Sequence, residues 1–343
     1  MEFFIDLAKG CMPFLYFLRS IANPFLDLLF SLITHLGEET VFLVLAIFVF
    51  WCVNKRAGYY VLITGLCGTV INQFAKLFFR VPRPWNLDPS FKSLVVDDAF
   101  AEATGYSFPS GHTQNIAGTF GSLAVFYGKK RWFVWLCSAI IVLVAFSRMY
   151  LGVHTPLDVG VSLLVALLLV IGLAPIFRSD ESLEKALPYV VIGSVALSLG
   201  LLIYVLAVSG DSSLDTANLT SAVENAGTLF GCTLGLVLVY FIDGKIIKFD
   251  TRARWYAQII KLAVGLGVVL AIKAGLSTPL VLLFGGNELI ARCVRYFLIV
   301  AFAGAVWPLT FKWFARLEIP ALDRLGERVL SLLPRRKSEE KKP

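Results

Sequence analysis

The sequence predicts an all-α fold: a polytopic transmembrane helical bundle of about nine spans plus an N-terminal interfacial helix. Three observations predict it. Of 343 residues, 57% are apolar and 16% charged, against about 45–50% and about 25% in a soluble domain. Mean hydropathy is +0.76. The apolar residues fall in long unbroken runs, not in the short in-and-out alternation of a membrane barrel. Helices follow because each satisfies its own backbone in lipid. About 195 residues are apolar, and nine spans of about 20 residues absorb about 180 of them. A soluble globular enzyme, a disordered chain and a fibrous one are excluded.

Taken in order, residues 1–21 carry Glu2, Asp6 and Lys9 and lack the basic start and apolar core of a cleavable signal peptide. The first span is therefore expected to act as its own insertion signal. Residues 22–37 form a short apolar stretch with Asn23, Pro24, Asp27 and His35, which reads as an interfacial or re-entrant helix. Spans follow at about 39–54, 57–79, 110–128, 132–150, 154–177, 187–208, 226–243, 255–276 and 289–314. The last two are interrupted by Lys261, Lys273, Arg292 and Arg295. The organisation is then a core at 1–177, an extension of about four spans at 178–316 with no role readable, and a basic tail at 317–343.

The net charge of +7 is an orientation signal. Alternate connections and the tail hold 20 of the 31 basic residues, from Lys55 and Arg56 through Lys129 to Arg131 and on to Lys342. The connection 209–225 has no Lys or Arg and carries Asp211, Asp215 and Glu224. The positive-inside rule places the basic set, and the C-terminus, in the cytoplasm. Nucleic-acid binding is a poor inference from this charge. The six cysteines are far apart with no Cys-x-x-Cys pair, so zinc and redox readings lack support and the thiols read as small buried hydrophobes.

The outward face then holds the longest connection, 80–109, and the turn 149–154. Three clusters sit there. Lys76, Arg80 and Arg83 are spaced i, i+4, i+7 and share one helix face until Pro82 and Pro84 break it. Cations at a lipid-facing helix end are costly unless an anion compensates them. Arg148, at the end of another span, adds a fourth. Their convergence on one mouth describes an anion site, and guanidinium forks suit phosphate. Next, Pro109-Ser110-Gly111-His112 opens an apolar helix. Ser110 suits an N-cap, Gly111 permits close backbone approach, and free N–H groups there point toward the same anion. Last, His154 and Asp158 are i, i+4 at a helix start, hence on one face. A carboxylate accepting from Nδ1–H fixes the tautomer and leaves Nε2 as nucleophile. His112 can then serve as general acid. Two histidines, one carboxylate and four cations suit phosphoryl transfer without a metal or other cofactor, the cations doing the electrostatic work.

The pattern Lys-x6-Arg-Pro, Pro-Ser-Gly-His and Ser-Arg-x5-His-x3-Asp resembles the three-part signature of the type-2 phosphatidic acid phosphatase superfamily. That group includes integral membrane lipid phosphatases, glucose-6-phosphatase and vanadium-dependent haloperoxidases. The resemblance covers roughly residues 22–177. It implies a phosphohistidine on His154, orientation by Asp158, and leaving-group protonation by His112. Lys76, Arg83 and Arg148 would hold the phosphate, with hydrogen bonds from Ser110 and Gly111. Arg80 is not part of the signature, and its role is inferred from helix spacing alone. The layout is similar to sphingosine-phosphate phosphatases and related bacterial proteins.

The expected protein is thus a phosphatase of a lipid phosphate or diphosphate, with its site on the extracytoplasmic face of a bacterial plasma membrane. Candidate substrates are polyprenyl diphosphates such as undecaprenyl diphosphate, phosphatidic acid, phosphatidylglycerol phosphate and sphingoid phosphates. The extra spans offer a surface for a homodimer. Two other readings use the same pocket: a lipid transporter or scramblase that only binds headgroups, and a vanadate haloperoxidase. Deep membrane embedding argues against the haloperoxidase, and the His154–Asp158 pair argues for turnover over binding alone. Outside the signature, His35 reads as an interfacial or structural residue. Arg292 and Arg295 read as headgroup grips or snorkelling side chains, and Lys261 and Lys273 as buried pairs or snorkelling. Asn218-Leu-Thr220 fits a glycosylation sequon.

Overall fold

The computed structural model describes residues 2–325 apart from residue 213. The described residues are 84% helical and contain no strand. Among the described residues, seven helices are long and apolar enough to cross a membrane. A bent pair, Pro24–Gly37 with Glu39–Val53 at 52°, makes an eighth if it counts as one span. The expected nine is therefore not reached. The stretch 110–128 forms a helix of only 16 residues, Gly111–Phe126, or about 24 Å at 1.5 Å per residue. That falls short of the roughly 30 Å hydrocarbon core. Its first turn is polar, with His112, Thr113, Gln114 and Asn115. Of the expected basic tail, residues 326–343 lie outside the described residues.

Two amphipathic helices, α1 (Glu2–Gly10) and α2 (Met12–Ser20), precede α3 (Pro24–Thr34). Asn23 caps α3 by accepting from Leu26 N–H at 3.0 Å, and Pro24 occupies the first turn, where no N–H is needed. The stretch 22–37 expected to be interfacial or re-entrant is the first arm of the bent pair, which is either a broken span or a re-entrant loop. Helix α4 (Glu39–Phe48) runs into a π turn at Val49–Val53, and α5 (Lys55–Phe79) starts on the Asn54 cap. The chain leaves α5 at Arg80, whose φ of 51° is left-handed. Val81 precedes Pro82, which disfavours helix there.

The core continues with α6 (Gly111–Phe126), α7 (Arg131–Tyr150) and α8 (Pro156–Leu173). Helix α8 opens on a capping box in which the Thr155 and Asp158 side chains satisfy each other's backbone N–H groups. Tyr60 of α5 donates to the Val170 carbonyl of α8 at 2.5 Å and stacks on Phe177. Helix α5 is thereby the central post of the bundle, packed on α6, α8 and the first two helices of the extension.

The extension comprises α9 (Asp180–Val208), α10 (Thr216–Ile242), α11 (Trp255–Gly275) and α12 (Glu288–Ala301). Gly227, Gly231 and Gly235 recur every four residues on one face of α10, and α12 lies directly against them. The extension is fastened to the core by polar links as well. Trp51 donates to the Ala303 carbonyl at 2.8 Å, Lys261 donates to the Trp51 carbonyl at 2.8 Å, and Lys55 pairs with Asp243. Lys261 is thus buried among carbonyls, not snorkelling. Arg292 pairs with Glu224 at 2.6 Å, and the buried Arg295 donates to Ser277 Oγ at 2.5 Å. All six cysteines are free.

Candidate active site

The three motifs meet at one end of the core. The close of α5 brings Lys76, and the chain just beyond it brings Arg83. The first turn of α6 brings Gly111 and His112, the last turn of α7 brings Arg148, and the turn before α8 brings His154. All six line one cavity of about 270 Å³. Its remaining walls are mostly polar: Thr69, Asn72 and Gln73 of α5, Asn115 of α6, and Glu102 with Thr104 from the long connection.

At its centre, Arg83 Nη1 lies 3.0 Å from His154 Nε2. A guanidinium only donates, so Nε2 carries the lone pair and Nδ1 the hydrogen. The tautomer is set on the other side too. Asp158 Oδ2 lies 3.5 Å from His154 Nδ1. Ser107 Oγ is 3.4 Å from Nδ1 and donates to Asp158 Oδ2 at 2.5 Å. The carboxylate expected to grip the imidazole thus faces Nδ1 itself, and Ser107, at nearly the same distance from Nδ1, stands beside it on the same oxygen. It also accepts the Thr155 N–H at 2.7 Å, so helix capping and imidazole orientation share one oxygen. Burial, reinforced by Arg83, Arg148, Lys76 and His112, holds the His154 imidazole well below its ordinary pKa and hence neutral.

Arg83 is held by three carbonyls as well: Nε donates to Gly105 at 3.0 Å, Nη2 to Thr104 at 2.7 Å and Nη1 to Val153 at 3.0 Å. Arg148 Nη1 donates to Thr34 Oγ1 at 2.6 Å. His112 Nε2 is buried and has no hydrogen-bond partner among the described residues. His112 is seated against Gly37, where an added Cβ would stand 2.9 Å from His112 Cβ. Only glycine lets the bend between α3 and α4 approach so closely.

Two expected phosphate contacts fall elsewhere. Ser110 is fully buried, and its hydroxyl accepts from Thr113 N–H at 3.4 Å as the cap of α6. It holds the helix start and does not line the cavity. Arg80 does not line it either. The left-handed turn at Arg80 swings the side chain toward the extension, where it pairs with Asp211 at 2.8 Å. The i, i+4, i+7 pattern assumed a helix that continues through Arg83, and it does not.

Several residues of the site were not singled out from the sequence. Ser107 lies two residues before the Pro109-Ser110-Gly111-His112 motif. Glu102, Thr104 and Gly105 lie in the long connection. Ser221 and Asn225 of α10 form the wall supplied by the extension. A wider vestibule of about 890 Å³ adjoins the cavity, shares Arg83, Thr104 and Ser221 with it, and is rimmed by Trp85, Asn218 and Glu224. At the rim, the ligand atoms of His35, Glu38 and Glu102 lie within 4.8 Å of one another, an arrangement able to hold a cation. His35 is already paired with Glu38.

Fold and site together define a class: a membrane-embedded helical bundle with a cation-lined anion chamber built around one neutral, oriented imidazole. Within that class, the chain belongs to the PAP2 superfamily. Residues 55–181 match that superfamily, and residues 223–318 match the transmembrane extension of PAP2 superfamily phosphatases. The chain is 33% identical over 149 residues to the undecaprenyl-diphosphatase BcrC of Bacillus subtilis, covering 43% of this chain and 72% of that one. It is 32% identical over 152 residues to phosphatidylglycerophosphatase B of the same organism, covering 40% and 69%. It is 30% identical over 235 residues to sphingosine-1-phosphate phosphatase 1 of Mus musculus, covering 64% of this chain and 52%, about half, of that relative. No solved structure matches the chain significantly.

Proposed function

We propose that this chain is a membrane lipid phosphatase that hydrolyses a lipid phosphate or diphosphate through a phosphohistidine on His154, without a metal, on the extracytoplasmic face. The observation that carries the reading is the His154 ring. Its Nε2 lone pair is presented to the cation-lined chamber, and its Nδ1–H is held by Ser107 and Asp158.

The substrate phosphate enters between Lys76, Arg83 and Arg148, and its oxygens take over the Arg83 donor now resting on Nε2. Nε2 then forms a bond to phosphorus while the bond from phosphorus to the lipid oxygen breaks. His112 gives its proton to that oxygen, and the lipid alcohol leaves, or the lipid monophosphate where the substrate is a diphosphate. In the second half, His112 takes a proton from water, which attacks phosphorus and frees His154 and inorganic phosphate. The three cations stabilise charge spread over the phosphoryl oxygens in both steps. The names of the relatives support a lipid phosphate substrate. Core 1–177 carries the chemistry in this reading, and extension 178–316 closes the chamber wall through α10.

Sidedness rests on charge. Lys55 and Arg56 begin α5 and Lys76 ends it, so the chamber lies opposite the basic connections. The positive-inside rule then places the chamber outside and the C-terminus in the cytoplasm. A bacterial plasma membrane fits that arrangement.

The test is phosphate release from lipid phosphates in detergent, with His154→Ala beside the parent. The parent is expected to form an acid-labile, base-stable phosphoprotein from labelled substrate, and the variant neither label nor phosphate. Turnover that survives His154→Ala overturns the mechanism.

A further inference from the structure

We infer that the seam between core and extension holds the hydrocarbon chain of the substrate, that it takes one chain only, and that Trp51 is its floor. The inference rests on the phosphatase reading above and adds the class of lipid: a phosphate or diphosphate carried on a single hydrocarbon chain.

A second cavity, of about 70 Å³, lies in the seam. The core contributes Phe42 and Ile47 of α4 and Leu62 and Leu66 of α5, and the extension contributes Leu236 and Val239 of α10, among others. Bundle interiors carry few voids larger than a water, and a void lined by apolar groups stays dry and accepts hydrocarbon. Trp51 is the exception in polarity, but its N–H is spent on the Ala303 carbonyl at 2.8 Å and it is fully buried.

The two cavities sit on the same faces of the same three helices. On α4, Glu39 lines the polar chamber and Phe42 the apolar one; on α5, Thr69 lines the first and Leu66 the second. Each step is three residues, about 4.5 Å along the axis. On α10, Asn225 lines the chamber, and Leu236 and Val239 line the seam cavity. From Asn225 to Val239 is 14 residues, or about 21 Å, more than half of the roughly 30 Å hydrocarbon core. A phosphate held by Lys76, Arg83 and Arg148 thus has an apolar cavity farther inward, three residues along α4 and α5 and seven along α10 from the chamber wall. The ring of Phe42, seated against Gly65, stands at the divide. A cavity of about 70 Å³ has room for one chain and none for a second beside it. Neither core nor extension makes the slot alone, which gives the extension a function.

The test uses the full-length protein and alkyl phosphates of graded length, from butyl to hexadecyl. Ala303→Phe plugs the slot and is expected to lower the ratio of hexadecyl to butyl phosphate kcat/KM about tenfold or more. Trp51→Leu lowers the floor and is expected to move the preferred length upward. An unchanged length profile in both variants overturns the inference. A second measurement does not depend on those variants folding: His154→Ala is photolabelled with a hexadecyl phosphate bearing a terminal diazirine. Label on Leu236, Val239 or Ile299 supports the slot, and label confined to the lipid-facing sides of the bundle overturns it. Were the parent to hydrolyse no alkyl phosphate, the phosphatase reading would fail, while the photolabel would still report whether the seam holds a chain.

Discussion

Arg83 Nη1 donates to His154 Nε2 across 3.0 Å, and the same guanidinium donates to the carbonyls of Thr104, Gly105 and Val153. One side chain therefore fixes the tautomer of the nucleophile and ties the long connection to the turn that carries it. A lysine offers a point charge without the fork. Arg83→Lys is expected to lower kcat/KM by about 10²–10³-fold, as loss of a preorganised donor does. It is also expected to lower thermal stability, since each buried carbonyl left unpaired costs about 1–3 kcal/mol. Phosphate release and a melting curve in detergent check both. Full activity in Arg83→Lys would show that charge alone suffices.

His112 Nε2 is buried in the chamber without a partner. If it protonates the leaving oxygen, its removal matters most for a poor leaving group. His112→Ala is expected to cost about 10²–10⁴-fold on a lipid phosphate, and much less on p-nitrophenyl phosphate, whose leaving group needs no proton. Equal losses on both substrates would assign His112 to phosphate binding instead.

The pH dependence has a definite sign. Burial first, then Arg83, Arg148, Lys76 and His112, depress the His154 pKa well below its ordinary value. The free enzyme therefore keeps its nucleophile as pH falls past about 6.5. The acid limb of kcat/KM assigned to His154 is expected well below that value. The same depression is a stability statement: the unfolded chain takes up the proton first, so this contribution is complete above about 6.5 and declines as pH falls below it. A pH–rate profile of kcat/KM, with melting temperatures at matched pH, checks both. An acid limb at or above 6.5 would contradict the burial of His154.

Much of this site was legible in the sequence, because its parts sit at helix ends whose spacing can be read. Lys76 before the proline pair, His112 after a capping serine, and His154 four residues before Asp158 all follow from helical periodicity. What was not legible has physical causes. Arg80 obeys the spacing, but the backbone turns left-handed there and hands its side chain to Asp211. Ser110 caps its helix as the sequence suggests, and that bond engages the hydroxyl that the resemblance offers to the phosphate. Helix α6 reads as a span by composition, yet its polar first turn faces the chamber and the helix ends after 16 residues. Ser221 and Asn225 reach the chamber from α10, more than a hundred residues beyond Gly111 and His112. The absence of Lys and Arg around them carried an orientation signal that hid their second use.

Three cations line the chamber with the two histidines, so the transferred phosphoryl group has its compensating charge from side chains. Phosphate release is expected to persist in EDTA at its initial rate. Any effect of an added divalent cation should act at the rim, where His35, Glu38 and Glu102 converge, and should disappear in Glu38→Gln. Activity lost in EDTA and restored by Mg²⁺ in that variant would overturn the cation-only mechanism.

The wall that α10 lends to the chamber depends on its glycine face. A Cβ at Gly231 would stand 2.2 Å from the Cys293 carbonyl oxygen, which is backbone and has nowhere to go, whereas a Cβ at Gly267 on α11 would meet nothing within 4 Å. Gly231→Ala must push α10 and α12 apart, at an overpacking cost of about 1–3 kcal/mol. Gly267→Ala should instead gain from the better helix propensity of alanine, by up to about 1 kcal/mol. Because Asn225 lies on the same helix, displacing α10 is expected to raise KM for lipid phosphate in Gly231→Ala and to leave it unchanged in Gly267→Ala. Melting temperatures and KM values for the two variants, measured side by side, separate an α10–α12 pair held by close backbone contact from one held by side-chain packing alone. Equal behaviour of the two would mean that α10 and α12 are not pressed together as the structure has them.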